Sequence, residues 1–97
     1  MFAVRNYQQG LQRLLAACDE ELLGTSHAEG KFRLEVNEDF YDGMRVERPE
    51  LEVFLAQCTV ANLVGERTVQ VAIEAGVIAA DNVLDIDGVA HAQLVVI

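Results

Sequence analysis

Three polar side chains stand in otherwise apolar stretches and have the types and spacing to do chemistry. Asn62 lies in the middle of the apolar helical stripe of Pro49–Gly76, and His91 and Gln93 lie in the run VAHAQLVVI. Residues two apart on a strand project from one face, so His91 and Gln93 can hold a planar group or a proton between them. The same residues also have a structural interpretation, as hydrogen-bonded polar groups that fix the register of a core.

The run Cys18-Asp19-Glu20 contains a thiol beside two carboxylates. A nucleophilic cysteine needs a histidine or a positive environment, and neighbouring acids have the opposite effect. Asp19 is better interpreted as the N-cap of a following helical turn. We therefore predict no catalytic residue, and a binding site formed by Asn62, His91 and Gln93 with Asp19 nearby. No CxxC or HxxxH spacing is present, so no metal or cofactor is expected.

Composition limits the classes of partner. The chain has 97 residues, which suits one domain, and carries sixteen acids against seven bases, a net charge of −9. Such a charge repels phosphate backbones, so direct non-specific binding of nucleic acid is not expected. An acidic surface also suits a salt-rich cytoplasm. No apolar run approaches the ~18 residues of a membrane span, and no signal peptide is recognisable, so we expect a cytoplasmic protein.

The stretch Pro49–Gly76 has the longest helical periodicity. Apolar residues recur at steps of three and four along one line, which predicts one long helix against the core. Four valines fall on the opposite side of this helix and predict a subunit interface: Val53, Val60, Val64 and Val71. If Gly65 breaks the helix, this phase relation is lost and the segment becomes a helix pair.

The remaining segments predict short strands. Strands are expected at Phe2–Tyr7, Lys31–Val36 and Met44–Val46, and a two-stranded hairpin at Asn82–Ile97 with its turn at Asp87-Gly88. A second hairpin turn is expected at Asp42-Gly43, and a polar loop over Thr25–Gly30. The segment Leu11–Leu23 fits either a helix or a buried strand followed by one helical turn. The sequence therefore predicts a single α+β domain over residues 1–97, a mostly antiparallel sheet of about five or six short strands packed against one long, continuous or kinked helix.

Four phrases, in this order, resemble an archaeal family known as domain of unknown function four-two-four: CDEELLG, LEVNEDFYDG, ANLVGERTVQVAIEAGVI and GVAHAQ. The resemblance covers nearly the whole chain and implies an archaeal cytoplasmic protein, for which the salt-adapted explanation of the charge is attractive. It also favours a strand for Leu11–Ala17. The last motif of the family has proline where this chain has Ala90. The family supplies no catalytic assignment.

These observations lead to two hypotheses for function. The first is a non-enzymatic binding module of the archaeal cytoplasm that serves translation or RNA-linked complexes through a protein partner, with a homodimer through the valines as a further possibility. The alternative is a small enzyme or metabolite-binding protein with a pocket around Asn62, His91 and Gln93. A buried pocket lined by these side chains would favour the alternative, and a closed, fully packed core there would exclude it.

Overall fold

The computed structural model describes residues 1–96 of the chain. The strands are β1 Phe2–Gln9, β2 Gln12–Asp19, β3 Ser26–Glu29, β4 Phe32–Glu35, β5 Met44–Val46, β6 Val60–Val64, β7 Leu84–Ile86 and β8 Val89–Val95. The helices are α1 Glu38–Tyr41, α2 Arg48–Gln57 and α3 Glu66–Glu74, with short 3-10 turns at Glu20–Leu22 and Ala80–Asn82. Ile97, which the pattern assigns to the last strand, lies outside the described residues.

Six strands form the main sheet, in the order β5-β1-β2-β6-β8-β7. The β2–β6 pair is parallel and the other pairs are antiparallel. Strands β3 and β4 form a separate two-stranded hairpin. The predicted α+β class and the mostly antiparallel sheet are therefore confirmed.

The prediction of a single long helix over Pro49–Gly76 is wrong. Helix α2 ends at Gln57, the chain then forms strand β6, and α3 begins after Gly65. The run VANLV is rich in β-branched residues and both of its edges are paired, with β2 on one side and β8 on the other. A short apolar run of this kind fits a buried strand and a helical segment equally well by periodicity, and the ladder partners decide between them.

The proposed valine face depended on that helix and does not exist as one surface. Val53 is 55% exposed on α2, whereas Val64 and Val71 are buried in separate clusters on the two faces of the sheet. Val60 is half-buried on β6. A homodimer cannot form through these four side chains together.

Of the two hairpin turns predicted from the sequence, one is confirmed and the other is wrong. Asp87 and Gly88 have φ values of 52° and 84° and join β7 to β8 as predicted. Asp42-Gly43 joins no hairpin, because Asn37 caps the short helix α1 through a 2.7 Å bond from the Asp39 N–H. Strand β5 then pairs with β1 instead of β4.

The two other segments that the sequence left open or assigned to loop are strands. Leu11–Leu23 contains β2 followed by the 3-10 turn at Glu20–Leu22, as in the strand alternative. The predicted loop Thr25–Gly30 contains β3, which places His27 opposite Leu34. The His27 ring nitrogen Nε2 lies 2.8 Å from Thr25 Oγ1.

The sheet separates two apolar clusters. Helices α2 and α3 cover one face, where Leu51, Leu55 and Val69 pack on Leu15 and Leu63. The β3–β4 hairpin and α1 cover part of the opposite face through a second cluster: Leu34, Val36 and Tyr41 on Ala3, Ala16, Cys18, Val64 and Ile86. Full burial of each large side chain contributes about 1.5–3 kcal/mol, so both faces stabilise the fold. No helix among residues 1–96 is both long and apolar enough to cross a bilayer.

Candidate functional site

The ends of the two parallel strands meet the start of helix α3. The Asp19 carboxylate, at the end of β2, is only 6% exposed. Its Oδ1 accepts hydrogen bonds from the Thr68 N–H at 2.8 Å and the Thr68 hydroxyl at 2.7 Å, and its Oδ2 accepts from the Arg67 N–H at 3.2 Å. These are first-turn N–H groups that lack a partner within the helix. Asp19 therefore caps a helix that is far from it in sequence.

Gly65 makes this cap possible. It precedes α3 with a φ of 106°, a conformation that glycine adopts without a Cβ penalty. A Cβ on Gly65 would lie 2.6 Å from both carboxylate oxygens of Asp19. The junction is extended at the surface by Arg67, which pairs with Glu21 and lies over the Phe2 ring at 5.2 Å. Hydrogen bonds from its own backbone and from Arg67 lower the pKa of Glu21.

A second feature lies on the sheet face opposite helices α2 and α3. Strand register aligns Tyr7, Leu14, Val60 and Val95 in one row, and Arg5, Ala16, Asn62 and Gln93 in the next row. The second apolar cluster extends into these rows at Ala16, which is fully buried, and at Tyr7, whose ring stacks on the Phe40 ring with 5.5 Å between the centroids. We call six partly or fully exposed members of these rows the open face: Tyr7, Leu14, Val60, Asn62, Gln93 and Val95. Arg5, which is also exposed, borders the open face beside Tyr7.

The open face carries a satisfied amide pair and an apolar depression. Gln93 Nε2 donates to Asn62 Oδ1 at 3.0 Å across the β6–β8 ladder. A depression of about 380 Å³ is lined by Tyr7, Leu14 and Val60 together with Gln9 and Gln12. None of the open-face residues is acidic. Arg5 is the one charged side chain in the two rows, with its guanidinium carbon 5.1 Å from the Tyr7 ring centroid, so the rows carry no negative charge on a chain with sixteen acids.

His91 lies in the next row towards the hairpin. Its Nδ1 is 3.1 Å from the Leu63 carbonyl oxygen, so in the neutral ring this nitrogen carries the proton and Nε2 has a free lone pair. A cleft of about 460 Å³ lies beside it, which we call the His91 cleft. Its lining residues are Phe32, Arg33, Asn82, Leu84, Ile86, His91, Ala92 and Gln93.

The sequence profile of a family described as a protein of unknown function, DUF424, matches residues 7–97. The chain belongs to the DUF424 family. This confirms the resemblance drawn from the four sequence phrases.

One solved structure shares the DUF424 chain's fold over almost its whole length. It is the crystal structure of an uncharacterized conserved protein from Methanopyrus kandleri, with a TM-score of 0.78 and 25% sequence identity. The alignment covers 96% of this chain and 89% of that chain. No curated protein matches the chain.

The structure brings together three of the four predicted binding residues of this DUF424 chain. Asn62 and Gln93 form the amide pair, and His91 lies one row further on the same face. Asp19 lies on the other face of the sheet, among the groups that cap α3. Its carboxylate does not cap the 3-10 turn that follows it, as the sequence had predicted, because that turn receives no side-chain bond from Asp19.

Cys18 of the DUF424 chain is a fully buried thiol. Burial, with a smaller contribution from Asp19, raises the pKa of Cys18 to about 12, so its thiolate is scarce at neutral pH. The described residues contain no cluster of three His, Cys, Asp or Glu side chains that could hold a metal ion. Sequence reasoning missed Tyr7, Leu14 and Phe32 as lining residues, because their neighbours on the face come from distant strands.

Proposed function

We propose that this chain is a non-enzymatic binding module whose open face contacts a partner protein. The observation that carries the proposal is the absence of acidic side chains from the open face, given a net charge of −9 for the chain. Protein interfaces deplete charged residues at their centre and enrich aromatic and apolar ones. Tyr7, Leu14, Val60 and Val95 supply such a centre, and the remaining donors and acceptors of the amide pair supply polar contacts.

A protein is the favoured class of partner. The charge opposes a phosphate backbone, and Lys31 is the chain's single lysine. An archaeal cytoplasmic protein complex that serves translation or handles RNA remains part of this proposal, with the contact made through its protein component.

The experiment places a carboxylate in the centre of the open face. Asn62→Asp keeps the shape of the side chain and its bond from Gln93 Nε2, and only adds charge. The matched control is Asn6→Asp, which makes the same change at an exposed residue on the other face of β1. A benzoylphenylalanine crosslinker at Leu14 identifies the partner in archaeal lysate, and calorimetry with the purified partner measures affinity.

We expect Asn62→Asp to weaken binding at least about tenfold, since a desolvated unpaired charge costs more than 1.4 kcal/mol. Asn6→Asp leaves affinity unchanged. Equal affinity for both variants would overturn the assignment of the open face. If the probe at Leu14 gives no more crosslinks than a probe at Val53, the proposal that the chain is a binding module is wrong.

A second candidate is small-molecule binding at the His91 cleft, the alternative drawn from Asn62, His91 and Gln93. The cleft volume of about 460 Å³ falls in the range of ligand sites, and His91 and Gln93 line it while Asn62 supports Gln93 from the next strand. Ligand-observed NMR with a metabolite library tests this candidate. A bound metabolite that is lost with His91→Phe but kept with His27→Phe would favour it over the first.

A further inference from the structure

The outer edge of β8 is only partly paired. Val96 donates its N–H to Thr59 O at 2.7 Å, and Ala90 O accepts from Gly65 N–H at 2.8 Å, so the even-numbered residues of β8 direct their backbone groups to β6. The odd-numbered residues direct theirs outward. Strand β7 pairs with Val89–His91 only. Among the described residues, the outward backbone groups of Gln93 and Val95 therefore have no strand partner.

This edge lacks the usual protection against strand addition. Natural sheets protect their edges with charged side chains, proline or bulges. The run from Val89 to Val96 contains neither a charged residue nor proline, and Val95 and Val96 are 65% and 55% exposed. The open edge at the other end of the sheet is different, since the outward positions of β1 beyond β5 are the polar Asn6 and Gln8.

The His91 cleft lies directly beside this edge. Asn82 and Leu84 line it on the β7 side, and Ala92 and Gln93 line it on the β8 side. A strand added along Gln93 and Val95 would continue the line of β7, and its side chains would alternate between the two faces of the sheet. One of them would enter the cleft against Phe32, which is 54% exposed, and near Arg33.

We infer that the outer edge of β8 binds an extended segment of a partner protein by strand addition. The residues that pair with Gln93 and Val95 are uncharged, one apolar side chain enters the His91 cleft, and the flanking residues are basic. The basic character follows from charge complementarity, because a chain of net charge −9 attracts cationic segments while the edge itself is neutral. This inference depends on the proposed binding function but names a different surface from the open-face centre at Asn62.

Backbone hydrogen bonds give such a complex its affinity, and the cleft gives it specificity. Gln93 and Val95 each offer one N–H and one C=O. Val95→Pro removes one outward N–H without removing a bond to β6, because the even-numbered residues make those bonds. Gln8→Pro is the matched control, since Gln8 faces outward on the β1 edge.

The test uses random dodecapeptides displayed on phage, sorted against the full-length chain, followed by amide hydrogen exchange measured by NMR. In the free protein we expect slow exchange at Ala92 and Leu94 and fast exchange at Gln93 and Val95. Enriched peptides should slow exchange at Gln93 and Val95 and leave Gln8 fast. Val95→Pro should weaken peptide binding at least about tenfold, and Gln8→Pro should not.

Three results would overturn the inference. They are enriched peptides that leave Gln93 and Val95 exchanging fast, a library that yields no binder, and a free chain that sediments as a dimer with both amides already protected. The last result would assign the edge to a second copy of the chain. Failure at the edge with crosslinking retained at Leu14 would remove this inference alone, and loss of both would remove the proposed function as well.

Discussion

The Asp19 carboxylate occupies the space beside Gly65 where a side chain would otherwise lie, with both of its oxygens 2.6 Å from the position of a Cβ on Gly65. Gly65, at the N-cap position of helix α3, has no side chain that could cap the helix. The carboxylate of Asp19, on the neighbouring parallel strand, caps it instead. The two halves of the sheet are joined by this contact as well as by the β2–β6 ladder.

Replacing Asp19 by alanine should destabilise the protein by about 2–4 kcal/mol. The change removes a helix cap, worth about 1 kcal/mol, and leaves the fully buried Thr68 hydroxyl without its acceptor, which costs about 1–3 kcal/mol. Asp19→Asn keeps one acceptor oxygen and should lose less. Urea unfolding followed by circular dichroism measures both, and an Asp19→Ala loss below 0.5 kcal/mol, roughly the error of the method, would contradict the capping role.

Gly65→Ala should cost at least about 2 kcal/mol, because alanine is strained at a φ of 106° and its Cβ would displace Asp19. In the double variant with Asp19→Ala the steric part disappears. The two losses should therefore add to more than the loss of the double variant. If the losses of the two single variants add up to the loss of the double variant, the Asp19 carboxylate and a Cβ on residue 65 do not compete for the same space.

Stability should fall as the pH rises above about 9. Burial raises the pKa of Cys18 from 9.0 to about 12, and burial likewise raises that of Tyr41 from 10.0 to about 12. Above pH 9 the unfolded thiol releases its proton while the folded thiol keeps it, so rising pH favours the unfolded state. The Cys18 contribution amounts to about 1 kcal/mol between pH 8 and pH 10.

Urea unfolding at a series of pH values checks this alkaline loss. Cys18→Ala should lower stability at pH 7 and flatten the decline between pH 8 and pH 10, with Cys58→Ala as the comparison at the other cysteine. An unchanged slope for Cys18→Ala would assign the decline to other groups. The same protonated, buried thiol should also react slowly with iodoacetamide in the native protein and rapidly after unfolding.

The Asn62–Gln93 pair should contribute little to stability. Both side chains remain in contact with solvent, so Asn62→Ala and Gln93→Ala should each cost less than about 1 kcal/mol, with a coupling of about 0.5 kcal/mol in the double-mutant cycle. Binding by the open face should nevertheless be sensitive to both. A stability loss above about 2 kcal/mol would exceed the contribution of such a hydrogen-bonded pair and would instead favour a register-fixing role.

Local pattern predicted those elements whose partners are near in sequence. The alternation of β1, the Pro49 start of α2 and the Asp87-Gly88 hairpin all follow from short-range chemistry. The pairing of His91 and Gln93 on one face also follows from strand alternation alone. These predictions needed no knowledge of the rest of the sheet.

The errors occurred where distant residues decide the structure. VANLV becomes a strand because β2 and β8 satisfy its backbone on both sides, and neither partner is visible in the run itself. Asp19 faces Thr68 rather than its own 3-10 turn for the same reason. The place of Tyr7 on the open face was equally hidden, because it depends on the order of strands across four positions of the sheet.

The parallel β2–β6 ladder sets the order in which the fold can assemble. The β1–β2 and β7–β8 hairpins close over two-residue turns, and such hairpins form in about 1–10 μs. The β2–β6 ladder must instead wait for a loop that contains β3, β4, α1, β5 and α2. Closure of this long loop is the entropically costly step. Formation of the β2–β6 ladder, and not of the hairpins, therefore limits the folding rate of the protein.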